Sequence, residues 1–135
     1  MNSPIVNNTF LFVKYLYKSY LPIGFDRFVL DQAVKEKNVW VSKGLQAGLS
    51  DSELEILALT ALLHRVGIIE NLRSYCQVSR TIAERYLQEQ KYPSKRIPSI
   101  LHAISVANKG SHLAHQRLEK IILSRPKVTR RGVRA

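Results

Sequence analysis

The stretch that most constrains the fold covers residues 50–71, SDSELEILALTALLHRVGIIEN. Ser50 and Glu53 stand in the S-x-x-E order of a capping box, in which a hydroxyl and a carboxylate satisfy backbone N–H groups that the first helical turn leaves unpaired. Leu54, Leu57, Ala58, Ala61 and Leu62 then recur at helical spacing, and Ile56, Leu59 and Leu63 make the other faces apolar as well. A helix that is apolar on every side has to be wrapped by others, so this one is expected at the centre of an all-α domain. Gly67 is the expected stop. His64 and Arg65 would then fall in the last turn of a buried helix, where a polar group needs a partner.

Around this centre the spacing predicts a compact bundle of five to six helices and no strand. Asn7, Asn8 or Thr9 can cap a first helix over 10–20, with Phe10, Val13, Tyr17 and Tyr20 on one stripe, ended by Pro22 and Gly24. A second is expected over 26–43, with Val29, Leu30, Ala33, Val34, Trp40 and Val41 apolar and Lys37 interrupting them, before a loop bracketed by Gly44 and Gly48. Ser74 and Gln77 read as a second capping box for a helix over 75–90, whose stripe is Val78, Ile82, Ala83, Tyr86 and Leu87. Tyr92-Pro93 ends it. Ser94 can cap a fifth helix over 94–107, with Pro98 tolerated within its first turn, and Ser111 a sixth ending near Ser124, with Ala114, Leu118, Ile121 and Ile122 buried. Residues 125–135, RPKVTRRGVRA, have no periodicity and are expected to be a flexible basic tail. The expected division is therefore a helical domain over 1–124 and a tail over 125–135.

At 135 residues one domain with a real core is the default. The apolar run over 10–21 is broken by Lys14 and Lys18 and falls short of a bilayer span, so no membrane is expected as a partner. It lacks the n-region and cleavage site of a signal peptide, and the single cysteine, Cys76, excludes an internal disulfide framework. A cytoplasmic protein is expected. Cys76 is read as a quiet, partly buried thiol. The net charge of +11 is uneven: residues 1–90 carry 10 Lys and Arg against 9 Asp and Glu, residues 91–135 carry 11 against 1. Such asymmetry points to an anionic partner.

Residues 57–71, LALTALLHRVGIIEN, resemble the signature segment of the HD domain superfamily, metal-dependent phosphohydrolases whose buried helix ends in a His-Asp doublet followed by an aliphatic residue and Gly. The likeness extends to Leu21-Pro22, to Gly48-Leu49-Ser50 and to residues 80–104, RTIAERYLQEQKYPSKRIPSILHAI. It implies an HD-like fold. The family's metal is held by an upstream His, the doublet and a distal Asp, which donate lone pairs and, for Asp, cancel charge. Here His64 alone matches. The upstream stretch falls on FDRFVLD over 25–31, which has no His and leaves Asp26 or Asp31 as substitutes, and no Asp stands near residues 122–125. Arg65 replaces the doublet's Asp, and a guanidinium has no lone pair to give and would repel a cation. The resemblance thus implies a degenerate site, with His64, Arg65, Asp26 and Asp31 as its remnant, no catalytic residues, no metal and no cofactor.

Two roles for Arg65 stay open: an internal ion pair with Asp26, Asp31 or Glu70, or bidentate binding of a phosphate or carboxylate. His112 and His115, at i, i+3, are read as surface residues, and His102 as a boundary residue. The expected function is that of a non-catalytic interaction or regulatory module binding a protein or an anion. Two alternatives are an HD phosphohydrolase with an unusual ligand set and a divalent metal, and a nucleic-acid binder. For the last, Lys95, Arg96, Lys109, Arg117, Lys120, Arg125, Lys127, Arg130, Arg131 and Arg134 would follow a phosphate backbone. No P-loop, CxxC pair or Ser-His-Asp order is present.

Overall fold

The computed structural model describes residues 3–109, apart from the side chain of Lys109, together with residues 121 and 122. Among these residues there are five α-helices and no strand: α1 (Pro4–Tyr20), α2 (Phe25–Gln46), α3 (Asp51–Leu63), α4 (Cys76–Glu89) and α5 (Ile97–Lys109). They form a compact bundle around α3, in which Leu54 and every residue from Ile56 to Leu63 are buried. The capping box forms as expected, Glu53 N–H donating to Ser50 Oγ at 3.2 Å and Ser50 N–H to Glu53 Oε1 at 2.9 Å. α3 packs most extensively on α2 and also touches α1 and α5, the arrangement that a helix without a polar face requires.

The helix boundaries depart from expectation for identifiable reasons. α1 begins near residue 4 rather than 10, because Ser3 accepts a hydrogen bond from Val6 N–H and Pro4 occupies the first helical position, where its fixed φ suits a helix and its missing N–H has no acceptor to lose. Asn7, Asn8 and Thr9 are therefore inside the helix, and Thr9 is buried, its hydroxyl 2.7 Å from the Ile5 carbonyl and 3.1 Å from the Tyr86 hydroxyl. Tyr20, placed on the buried stripe by its spacing, is 63 % exposed because α1 ends there. α2 runs through Gly44, which is a close-packing position and not a loop: a Cβ there would stand 2.7 Å from Leu54 Cδ2 and 3.0 Å from Leu49 and Leu57. The expected cap of α4 at Ser74 is not made. Asn71 Oδ1 accepts from the N–H groups of Arg73 and Ser74, which orders the connector and leaves Tyr75 as the residue before the helix. α4 ends where Lys91 takes a left-handed conformation, φ 58, and Tyr92 N–H reaches back to the Leu87 carbonyl at 2.9 Å. α5 starts at Ile97, so Pro98 is its second residue and Ser94 lies in the preceding turn. Of the expected sixth helix, Ile121 and Ile122 are helical and buried, and the rest lies outside the described residues, as does 125–135.

A polar network pins the chain's start to the bundle. Glu55 accepts from Ser3 Oγ at 2.9 Å, from the Tyr92 hydroxyl at 2.9 Å and from Arg96 at 3.4 Å, and Arg96 also donates to Ser52 Oγ at 3.0 Å. Burial and the hydrogen bond to Glu55 push the Tyr92 phenol up from 10.0 to about 12. The folded state holds this proton more tightly than the unfolded chain. The stability it contributes is therefore complete below pH 10 and is lost between pH 10 and about 12. Urea midpoints measured across that window should fall for the wild type and fall less for Tyr92→Phe.

Candidate functional site

The end of α3 carries the polar cluster that the sequence singled out. α3 stops one residue before His64, which is its C-cap, and Arg65 precedes a 3-10 turn, Val66–Ile69. The doublet therefore sits at a junction between two helical segments rather than inside a final α-turn. Gly67 does not stop the helix by adopting a left-handed conformation. It lies within the 3-10 turn, at a position that needs a glycine because a Cβ there would overlap the Tyr75 carbonyl oxygen and stand 2.7 Å from Ser79 N, while its own N–H donates to Ser79 Oγ at 2.8 Å. α4 thus presses directly on the turn that positions the doublet.

His64 is 1 % exposed. Its Nδ1 lies 3.1 Å from the Thr60 carbonyl and 3.0 Å from the Ala61 carbonyl, and since carbonyls only accept, Nδ1 carries the proton. That fixes the ring with Nε2 pointing to α2, 3.5 Å from Glu36 Oε1, and with its face tilted against Trp40 at a centroid distance of 5.5 Å. The backbone carbonyl of His64 accepts from Asn108 Nδ2 at 2.9 Å, which ties α5 to the same junction.

Arg65 forms a two-point pair with Glu36, Nη1 to Oε1 at 2.5 Å and Nη2 to Oε2 at 2.9 Å. Both side chains are mostly buried, 23 % exposed for Arg65 and 14 % for Glu36. Burial pushes the guanidinium's pKa down, but the adjoining carboxylate more than offsets it, so Arg65 is held above its ordinary value. Tyr17 is held neutral in the same neighbourhood, its pKa raised by burial against the opposing charge of Arg65.

None of the expected partners of Arg65 is the actual one. Asp26 accepts from Gly24 N–H at 2.9 Å at the start of α2. It stands ten residues before Glu36, roughly 15 Å along a helix rising 1.5 Å per residue. Asp31 and Glu70 are exposed. The sequence pattern points to Lys37, not Glu36, as the interruption among the apolar residues of α2. The buried positions Val29, Ala33, Trp40 and Gly44 leave a gap that Glu36 fills at helical spacing. A carboxylate on the core-facing stripe was the available signal. Asn108 lies beyond the expected end of the fifth helix at 107 and belongs to α5.

Of the basic residues expected to contact an anion, Lys95 is exposed and Arg96 is engaged with Glu55 and Ser52 inside the fold. Lys109's side chain, Arg117, Lys120, Arg125, Lys127, Arg130, Arg131 and Arg134 lie outside the described residues, as do His112 and His115. His102 is exposed and Cys76 is partly buried. Among the described residues no three of His, Cys, Asp and Glu come together closely enough to hold a metal ion. A groove of about 460 Å³ lies between α1 and α4, lined by Phe12, Val78, Ile82 and Tyr86 with Glu70, Arg85 and Glu89, and it does not reach the Glu36–Arg65 pair. No helix among the described residues is long and apolar enough to cross a membrane. Comparison with family models, with curated proteins and with solved structures gives no match.

Proposed function

We propose that this chain is a non-catalytic, HD-like helical domain that works by binding a protein or an anionic partner. The observation that carries the reading is the Arg65–Glu36 pair beside the buried ring of His64. A metal centre of the resembling kind needs lone pairs converging on a cation. At this junction a guanidinium takes both oxygens of the nearest carboxylate and would add a positive charge next to any ion placed there. The pair does mechanically what a shared metal would do, joining α2 to the end of α3, while supplying no electrophile and no activated water. It also supports an internal role for Arg65 over the binding of an outside anion, since the guanidinium is directed to both oxygens of Glu36.

Metal analysis of the full chain, paired with hydrolysis assays on phosphomonoesters and nucleotides, tests the reading. Metal well below one equivalent after incubation with Mn, Fe, Ni or Mg, and turnover unchanged by His64→Ala, are the expected results. Stoichiometric metal with a phosphatase activity abolished by His64→Ala would replace the binding module with a phosphohydrolase of unusual ligand set.

A further inference from the structure

We infer that the corner between α1 and α2 is a two-fold docking surface for a second copy of this chain, in which the start of α2 packs antiparallel on its counterpart. α1 ends at Tyr20 and α2 starts at Phe25, and the turn between them leaves Ile23 at 103 % exposure, with Tyr20 at 63 %, Phe28 at 58 % and Phe25 at 37 %. These four residues form the kind of apolar cluster that marks an interaction site rather than a scattered surface hydrophobe. The corner has a fixed shape. The N–H groups of Phe25 and Asp26 both donate to the Pro22 carbonyl at 3.1 and 3.2 Å, Asp26 Oδ1 accepts from Gly24 N–H at 2.9 Å, and the rings of Phe25 and Phe28 stack at 6.4 Å. A patch already ordered in the single chain loses little freedom when it is covered.

Charge selects the occupant. The basic excess of the chain lies in residues 91–135, whereas the corner is balanced, with Lys18 and Arg27 against Asp26 and Asp31. Val29 and Ala33 are buried, so at 3.6 residues per turn Arg27, Phe28 and Asp31 share the opposite face of α2, and all three are exposed. Arg27 and Asp31 stand one turn apart, yet neither makes an ion pair with the other or with any described residue. In a two-fold contact, where residue i of one copy meets residue j of the other, j also meets i. Two antiparallel copies of α2 crossing at the level of residue 29 therefore set each Arg27 opposite the Asp31 of the other copy, with the Phe28 rings between the two pairs. Ile23 then lies over the next turn, at the apolar stem of Lys35. Opposite charges one turn apart beside an apolar centre are what such a self-complementary contact requires. Covering the four apolar side chains removes at most about 500 Å² per copy, at about 200 Å² for a large side chain fully exposed. The resulting total of about 1,000 Å² is the lower limit for a specific interface, so the dimer is weak, with a dissociation constant on the order of tens of micromolar.

The test is sedimentation equilibrium of the full chain. The wild type should pass from monomer to dimer as its concentration rises from about 5 to about 500 μM. Ile23→Asp, Arg27→Asp and Asp31→Arg should each raise the dissociation constant about tenfold or more, the last two because each sets like charges opposite one another twice. All three positions are exposed, so circular dichroism and melting should stay as in the wild type. Leu72→Asp, at a residue 62 % exposed in the connector before α4, should leave association unchanged. Two restorations are diagnostic. Arg27→Asp combined with Asp31→Arg in one chain should return the dissociation constant to within about threefold of the wild type. An equimolar mixture of the two single variants should form a mixed dimer, since one copy then offers two acids and the other two bases. A wild type still monomeric at about 500 μM overturns the inference. A dimer that Ile23→Asp leaves intact also overturns it, by placing the contact on another face. So does a loss of association in the charge variants that neither restoration repairs, which would mean that these charges do not meet across a two-fold axis.

Discussion

Glu36→Ala is expected to destabilise the protein by about 2–4 kcal/mol, measured by urea unfolding, and to lower its melting temperature by roughly 10 °C. The effect comes from what remains behind. Removing a surface carboxylate usually changes little, because water replaces it. Here Arg65 would stay charged, mostly buried and without its two-point acceptor, and the loss of one member of a buried pair leaves the desolvation of the other uncompensated. The residual exposure of both side chains is the reason for placing the expected value below that of a fully buried pair. Glu36→Gln should fall between the wild type and Ala, since it preserves shape and one acceptor but not the charge. Against a total folding free energy of about 5–15 kcal/mol, a loss of this size is severe.

The second large effect is expected at Gly67. A methyl group there would overlap the Tyr75 carbonyl and crowd Ser79 N, and both are backbone atoms at the start of α4 that cannot rotate away. The Gly67 N–H to Ser79 Oγ bond would be lost with the shift. Overpacking and an orphaned buried donor together should make Gly67→Ala cost about 3 kcal/mol or more in urea unfolding. Gly44→Ala is the natural comparison. The atoms nearest to its new Cβ are the ends of Leu49, Leu54 and Leu57, which have other rotamers, so its cost should be about half as large. Equal costs at the two positions would mean that the α4 contact is more compliant than its geometry implies.

How much of this was legible in the sequence depends on whether the signal was local. The capping box at Ser50 and Glu53, the all-round apolarity of α3 and the stripes of α4 and α5 involve residues within one or two turns, and they give the all-α bundle directly. Where a cap competes with another local motif the spacing misleads. Ser74 with Gln77 matches a box, yet Asn71 captures the connector's N–H groups first. Ser3-Pro4 was an equally good start signal for α1, overshadowed by the three polar residues that follow it. The candidate site is the opposite case. That Arg65 must have a partner follows from its place after a buried helix, but the partner lies 29 residues away on another element. Nothing in local spacing favours Glu36 over Asp31 until the buried face of α2 is fixed by Val29, Ala33, Trp40 and Gly44. The Glu55 network is invisible for the same reason, as its members Ser3, Tyr92 and Arg96 come from three separate parts of the chain.

An ion pair joins α2 to the end of α3, and a double-mutant cycle on Glu36 and Arg65 tests its role most directly. Glu36→Leu and Arg65→Met should each cost about 2–4 kcal/mol, because either leaves a mostly buried charge without its two-point partner. With both replaced, no uncompensated charge is left, and the double variant should unfold within about 1 kcal/mol of the wild type, a coupling of roughly 2 kcal/mol or more. Single effects that add to within about 0.5 kcal/mol would mean that the two side chains do not depend on each other, and would contradict the account.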